Sequence, residues 1–255
     1  MLKVRVIPTL LWKQFGLAKG VAFDSWRRVG PVLPAVKVYN QREVDELVLL
    51  DIVAHLTSDD PDFESIAEFG QDCFVPLTVG GGVTHIDQVQ LLLRAGADKV
   101  AVNTAAYARP HFINEIANRH GAQCVVASVD VRFQEGTWLC FSHAGLQATG
   151  RDVVAWVREL ADRGAGEILI TSIDRDGTMQ GYDLQLVEAV ANAVKVPVIA
   201  SGGAGNYQHM VEAVTQAGAS AVAAASIFHF TEQTPAGAKA ALAAAGIQVR
   251  QPYTV

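Results

Sequence analysis

Short runs of Val, Ile, Leu and Ala alternate along the chain with longer stretches in which apolar residues recur every three or four positions. The short runs predict eight buried strands, near residues 4–10, 45–52, 75–79, 98–103, 123–130, 167–173, 196–201 and 220–225. The longer stretches predict helices over 62–71, 86–95, 110–119, 152–163, 184–194 and 206–217. Eight strands alternating with helices in a chain of 255 residues predict an α/β fold of the (β/α)8, or TIM barrel, type.

An internal repeat divides this predicted barrel into halves. The segment VPLTVGGG at 75–82 recurs as VPVIASGG at 196–203, and GADKV at 96–100 recurs as GASAV at 218–222. Each copy is an apolar run that opens into a turn of small residues, so the repeated unit is a strand with its helix. We therefore predict one domain over 1–255, built from half-barrel repeats at about 1–120 and 121–250.

Two glycine turns in equivalent places suggest a ligand with a phosphate at each end. Backbone N–H groups in such turns bind phosphate, and barrel enzymes carry their sites on the loops that follow the strands. The alternative is that glycine only provides the positive φ of a tight turn. The candidate ligand-binding residues are Gly81, Gly82, Asn103 and Thr104 in the first half, Ser201, Gly202, Gly203, Ala225 and Ser226 in the second, and Asp176 and Gly177 between them.

Composition narrows the classes of function. The net charge is −6 with scattered Lys and Arg, which argues against a nucleic-acid partner. The three cysteines and seven histidines show neither disulfide nor metal-ligand spacing, so we expect no metal and no cofactor. The sequence shows no signal peptide and no apolar run of membrane-spanning length, so we expect no membrane contact and a cytoplasmic location.

Asp130, at the end of the fifth predicted strand, is the strongest candidate for a general acid or base. Asp176 lies in the turn after the sixth strand, where capping a turn is the common role of an aspartate. The position in the first half that is equivalent to Asp130 holds Leu11, so a pair of opposed carboxylates is missing. Lys19 lies in a predicted loop at 12–20 and is a second candidate for contact with substrate.

Four charged residues fall at the opposite, N-terminal ends of the strands: Arg5, Glu46, Lys99 and Glu167. Charges that point into a barrel have to pair with each other, because an isolated buried charge is very costly. The residues alone favour a structural salt-bridge plug, and an entrance into the barrel is the alternative.

Several motifs resemble the cyclase subunit of imidazole glycerol phosphate synthase from histidine biosynthesis over nearly the whole chain. They are 50–52 (LDI), 76–82 (PLTVGGG), 97–100 (ADKV), 174–178 (DRDGT), 181–183 (GYD) and 199–205 (IASGGAG). The resemblance implies a barrel that receives ammonia from a glutaminase partner docked on its N-terminal face. It also implies that Arg5, Glu46, Lys99 and Glu167 form the gate through which ammonia enters.

The sequence departs from that family where its acid/base pair is expected. The resemblance implies an aspartate at position 11 and an Asp-Gly-Arg loop at 14–16, and this chain has Leu11 and Gln14-Phe15-Gly16. Leucine cannot transfer a proton. The segments 13–19, 27–30 and 39–47 look instead like a paralogous branch that makes acetamidino sugars for surface polysaccharide, whereas the segment 226–250 looks more like the histidine cyclase.

Three hypotheses follow from these features. The first is an ammonia-channelling, lyase-like synthase subunit of a glutamine amidotransferase in the sugar branch, with a glutaminase, a phosphorylated ligand and a separate sugar amidotransferase as partners. The second is a true imidazole glycerol phosphate cyclase in which Asp130 and Lys19 do the work of two carboxylates. The third is a non-catalytic module that activates the glutaminase and passes ammonia to another protein.

Overall fold

The computed structural model describes residues 3–13, 16–54 and 60–251 of the chain. Twelve strands lie in these ranges and form one sheet. They are β1 Arg5–Lys13, β2 Gly16–Val21, β3 Asp24–Gly30, β4 Leu47–Asp51, β5 Leu77–Gly80, β6 Lys99–Val102, β7 Val125–Gln134, β8 Thr137–Ser142, β9 Gln147–Asp152, β10 Glu167–Ser172, β11 Val198–Ser201 and β12 Ala221–Ala224.

Eight of these strands close into a parallel barrel. In chain order β1, β4, β5, β6, β7, β10, β11 and β12 each pair with the next, and β12 pairs with β1 to close the ring. The predicted (β/α)8 barrel is confirmed, and all eight predicted strands overlap observed ones. The sequence predicted these strands because both faces of each strand are covered in the fold, which makes each strand a continuous apolar run.

Helices cover the outside of the barrel. Those in the described residues are α1 Val32–Gln41, α2 Phe63–Gln71, α3 Ile86–Arg94, α4 Thr104–Ala108, α5 His111–His120, α6 Val153–Asp162, α7 Leu184–Ala193, α8 Tyr207–Thr215, α9 Ser226–Phe230 and α10 Pro235–Ala244. Asp62, Asp152, Asp183 and Asn206 cap four of the predicted helices by accepting a hydrogen bond from the backbone N–H three residues later. None of the helices in the described ranges is long and apolar enough to cross a membrane.

Two hairpins extend the barrel beyond its eight strands. The pair β2–β3 continues antiparallel from β1, and the pair β8–β9 continues from β7. The predicted loop at 12–20 was therefore wrong: its described part is the end of β1 and most of β2. Both hairpins rise from the C-terminal ends of barrel strands, so they add walls above the mouth of the barrel.

Candidate functional site

Alternate residues of each barrel strand point into the barrel, so the interior is built in levels. In β1 the inward residues are Arg5, Ile7, Thr9 and Leu11. The strand pairings fix which residues of the other strands share each level. From the N-terminal end upward the levels are a charged cluster, an apolar belt, a layer of hydroxyl groups and a polar rim.

The charged cluster joins the four residues Arg5, Glu46, Lys99 and Glu167, hereafter the gate cluster. Arg5 contacts Glu46 at 2.6 Å and Glu167 at 2.9 Å, and Lys99 contacts the same two carboxylates at 2.9 and 3.1 Å. Thr78 donates a further hydrogen bond of 2.7 Å to Glu46, whose side chain is only 1% exposed. Each cation thus bridges both anions, and the cluster closes the N-terminal end of the barrel with no net charge.

An apolar belt lies directly above the gate cluster. Its side chains are all buried and apolar, and three of them are alanines. They are Ile7, Val48, Ala101, Val126, Leu169, Ile199, Ala221 and Ala223. The belt separates the charges of the N-terminal end from the polar groups above.

A cavity of about 570 Å³ opens above the belt, at the C-terminal ends of the strands. Its walls include every ligand-binding candidate named from the sequence, together with Lys19 and Asp130. Phe23 and Trp26 of the β2–β3 hairpin and His143 of the β8–β9 turn add to the walls. A volume of this size accommodates a small-molecule ligand.

The two glycine turns face this cavity from opposite halves of the barrel. Gly81, Gly82, Gly202 and Gly203 all have positive φ, between 70° and 108°. At Gly81 a Cβ atom would collide with the carbonyl oxygen of Asp51, so no larger residue fits there. The turns are followed on the next strand by the short helices α4 and α9, which begin at Thr104 and Ser226.

Asp130 is the last inward residue of the part of β7 that pairs within the barrel, and it is 9% exposed. Its Oδ2 accepts a hydrogen bond of 2.7 Å from Nδ2 of Asn103. Burial raises the pKa of Asp130 to about 7; the nearby charge of Asp176 adds to the increase, and the Asn103 hydrogen bond opposes it. A carboxyl with this pKa can both give and take a proton near neutral pH.

Asp176 and Lys19 form a buried ion pair beside Asp130. Lys19 reaches it from β2, and the backbone N–H of Ala22 donates to the carbonyl of Asp176 at 2.8 Å, which ties the hairpin to the turn after β10. Burial raises the pKa of the Asp176 carboxyl, although Lys19 acts in the opposite direction. Asp176 therefore does more than cap its turn, the role its sequence context suggested. Its neighbour Asp174 does have a structural role, accepting from the N–H of Phe133.

Comparison with known proteins identifies the family. The model of a family described as "Histidine biosynthesis protein" matches residues 5–234. The chain is also 49% identical over 250 residues to the imidazole glycerol phosphate synthase subunit HisF of Hyphomonas neptunium, an alignment that covers 98% of this chain and 99% of that protein. The chain belongs to the histidine biosynthesis protein family.

This member of the histidine biosynthesis protein family differs from the expected pattern on β1. Leu11 lines the cavity at the level of Asp130, from the opposite side of the barrel. An apolar side chain thus stands where the resemblance implied a carboxylate. The charge of Asp176, which is paired with Lys19, contributes to the raised pKa of Asp130. Gln14 and Phe15, which belong to the second departure, lie outside the described residues.

Sequence reasoning missed the hairpin walls of this site. The run Thr137–Ser142 had the β-branched and aromatic composition of a strand, after a Glu-Gly turn, and could have been identified. The sequence of β2 has no such strand signal, because its residues do not alternate between buried and exposed positions. Asn103 lines the cavity, as predicted for a ligand-binding residue, and its amide nitrogen donates to Asp130; its binding of phosphate stays a prediction. In the described residues no group of three or more His, Cys, Asp or Glu is placed to hold a metal.

Proposed function

We propose that this chain is the ammonia-using barrel subunit of an imidazole glycerol phosphate synthase. Its 49% identity to HisF over 98% of the chain carries the proposal. The geometry of the barrel supports each step that such a subunit has to perform: entry of ammonia, binding of a doubly phosphorylated substrate and proton transfer.

Ammonia enters through the gate cluster at the N-terminal face, where a glutaminase partner docks. Arg5 is 24% exposed on this face, while Glu46 behind it is buried. The cluster holds its charges by mutual pairing, so a rearrangement of Arg5 or Lys99 opens a path without leaving any carboxylate unpaired. The apolar belt beyond it favours neutral ammonia over ammonium, because charge is costly in an apolar passage.

The substrate lies across the cavity with one phosphate at each glycine turn. The positive-φ glycines lie in turns that line the cavity, an arrangement in which backbone N–H groups bind anions, and Ser226 and Thr104 line it with hydroxyl groups that can donate as well. The Thr104 hydroxyl already accepts from the N–H of His143 at 3.0 Å, which leaves its proton free to donate to an anion. Asp176 is a poor ligand for phosphate because both groups are anionic, and its place beside Asp130 suits acid–base chemistry better.

Asp130 and the Asp176–Lys19 pair carry the proton transfers as ammonia adds and the ring closes. With a pKa of about 7, Asp130 is present in both protonation states near neutral pH. Asp176 and Lys19 supply a second acid–base group on the side of Asp130, in place of the carboxylate that Leu11 removes from the opposite wall. Loss of one such group typically costs about 10²- to 10⁴-fold, so a substitute is needed for useful turnover.

The direct test gives the purified chain the formimino-carboxamide ribulotide with excess ammonium salt and follows release of aminoimidazole carboxamide ribotide. Ammonium bypasses the glutaminase, so only the barrel's own chemistry is measured. We expect turnover that saturates with both substrates. A folded protein that binds the ribulotide in calorimetry and releases no product contradicts the proposal.

A second candidate, the sugar-amidination branch, rests on Leu11. In that function the barrel delivers ammonia, and a separate amidotransferase transfers it to a sugar. Ribulotide binding without turnover favours this candidate over the cyclase. Absence of any ribulotide binding, with stimulation of the glutaminase retained, favours instead a module that only activates its partner.

A further inference from the structure

A layer of hydroxyl groups lies between the apolar belt and the rim. Two residues beyond the belt residues Ile7, Val126 and Ile199, the same strands place Thr9, Ser128 and Ser201 inside the barrel. These three side chains line the floor of the cavity. The fourth residue of this level is Gly80 of β5, which has no side chain.

The hydroxyl of Thr9 is buried and, within the described ranges, lacks a hydrogen-bond partner. The residue is 7% exposed, and its Oγ1 is buried with no hydrogen-bond partner among the described residues. An unpartnered buried hydroxyl is unfavourable, and native proteins rarely leave one unless a water, ion or ligand fills the place. The position therefore indicates a small polar occupant on the floor of the cavity.

A second unpartnered acceptor lies one level higher. Oδ1 of Asn103 is also buried without a partner in the described part of the chain, while Nδ2 of the same side chain donates to Asp130. Thr9, Asn103 and Asp130 all line the same cavity, and Asn103 is bonded directly to Asp130. The cavity therefore has unpartnered acceptors both just above the belt and beside the proposed acid–base group.

We propose that Thr9 and Asn103 form a binding site for neutral ammonia on the floor of the cavity, between the apolar belt and Asp130. The Thr9 hydroxyl accepts an N–H of ammonia and can donate its own proton to the nitrogen lone pair, which selects for the neutral molecule. The site holds ammonia within the barrel until the substrate is in place. This inference rests on the proposed use of ammonia by the barrel.

The kinetic test varies ammonium at saturating ribulotide and compares the wild type with Thr9→Val and Thr9→Ser. Valine keeps the shape and removes the hydroxyl. One neutral hydrogen bond changes a binding constant by roughly 2- to 10-fold. We expect Thr9→Val to raise the KM for ammonia by that factor with kcat unchanged, and Thr9→Ser to stay close to the wild type. Thr215→Val, on the outer helix α8, is the matched control.

Outcomes of the kinetic test separate a binding role from a structural one. The proposal is overturned if the KM of Thr9→Val for ammonia stays within twofold of the wild-type value. If kcat or the melting temperature falls while this KM is unchanged, the role of Thr9 is structural. An unchanged KM without such a fall means that the floor holds only water.

A second measurement does not depend on turnover. Crystals of the wild type and of Thr9→Val are soaked in methylamine, whose extra carbon distinguishes it from water. We expect density for methylamine within hydrogen-bond distance of Thr9 Oγ1 in the wild type and none in the variant. If the wild type lacks cyclase activity, the proposed function fails while this soak still decides the site; an empty or water-filled floor in both crystals overturns the site itself.

Discussion

The two ends of the barrel both bury charged residues, but they balance them differently. In the gate cluster two cations and two carboxylates contact one another in all four combinations. At the rim Asp176 pairs with Lys19, whereas Asp130 has no ion-pair partner among the described residues and is hydrogen-bonded to Asn103. Burial, together with the nearby charge of Asp176, raises the pKa of Asp130 to about 7. The paired carboxylates of the gate cluster are held in their charged form, whereas the carboxyl of Asp130 can exchange a proton near neutral pH.

The difference has an energetic meaning as well. A buried carboxyl without a cation stabilises the folded chain less than one that is paired, because its charged form is desolvated without compensation. The gate cluster should therefore contribute to the stability of the fold. Asp130 should reduce that stability, because its carboxyl is kept available for proton transfer rather than paired with a cation. Substitutions at the two ends test this contrast directly.

The largest effect is expected from Asp130→Asn. The amide keeps the size of the side chain but cannot give or take a proton at neutral pH, so turnover with the ribulotide and ammonium should fall by roughly 10²- to 10⁴-fold. The control is Asp162→Asn, a change at an exposed residue of α6 that should leave the rate unaltered. A decrease of less than tenfold would mean that another group transfers the proton.

The same substitution should make the protein more stable, in a pH-dependent way. In the unfolded chain Asp130 has an ordinary pKa near 3.8, and in the folded chain about 7. The folded state therefore holds the proton more tightly. The resulting penalty is absent below pH 3.8, grows between pH 3.8 and 7, and is complete above pH 7, where it amounts to at most about 4 kcal/mol.

Urea unfolding of the wild type and of Asp130→Asn at pH 5 and pH 8 measures this penalty. We expect the variant to gain more stability relative to the wild type at pH 8 than at pH 5. If the variant and the wild type differ in free energy of unfolding by the same amount at pH 5 and pH 8, Asp130 titrates normally in the folded protein.

At the opposite end, Glu46→Gln should destabilise the fold. The carboxylate of Glu46 contacts Arg5 and Lys99 and accepts from Thr78, and its removal leaves the cluster with an excess positive charge. Breaking a buried ion pair costs about 3–5 kcal/mol, and the partial exposure of Arg5 lowers this to about 3 kcal/mol. Urea unfolding compared with Glu188→Gln, at an exposed position of α7, gives the measurement. A loss below about 1 kcal/mol would show that the cluster does not stabilise the barrel.

The sequence predicted one end of the barrel better than the other, for a physical reason. Arg5, Lys99 and Glu167 begin regular strands and Glu46 directly precedes one, so the alternation of side chains along a strand and the order of the strands were enough to predict that they lie together. The pair of Lys19 and Asp176 depends on how the β2–β3 hairpin folds over the turn after β10, where Gly177 packs against the carbonyl of Gly20. Such packing between distant segments has no local signature.

The smallest effect is expected from Leu11→Asp, which restores a carboxylate opposite Asp130. If Asp176 and Lys19 already supply the second acid–base group, the new carboxylate adds little, and turnover with ammonium should change by less than about tenfold. The added negative charge should nevertheless raise the pKa of Asp130 further, since like charges disfavour ionisation. The pH–rate profile should therefore shift upward while the maximal rate stays similar. A gain of 10²-fold or more would instead show that the wild-type rim lacks one of its two proton-transfer groups, and would favour ammonia delivery to another protein as the natural role of this barrel.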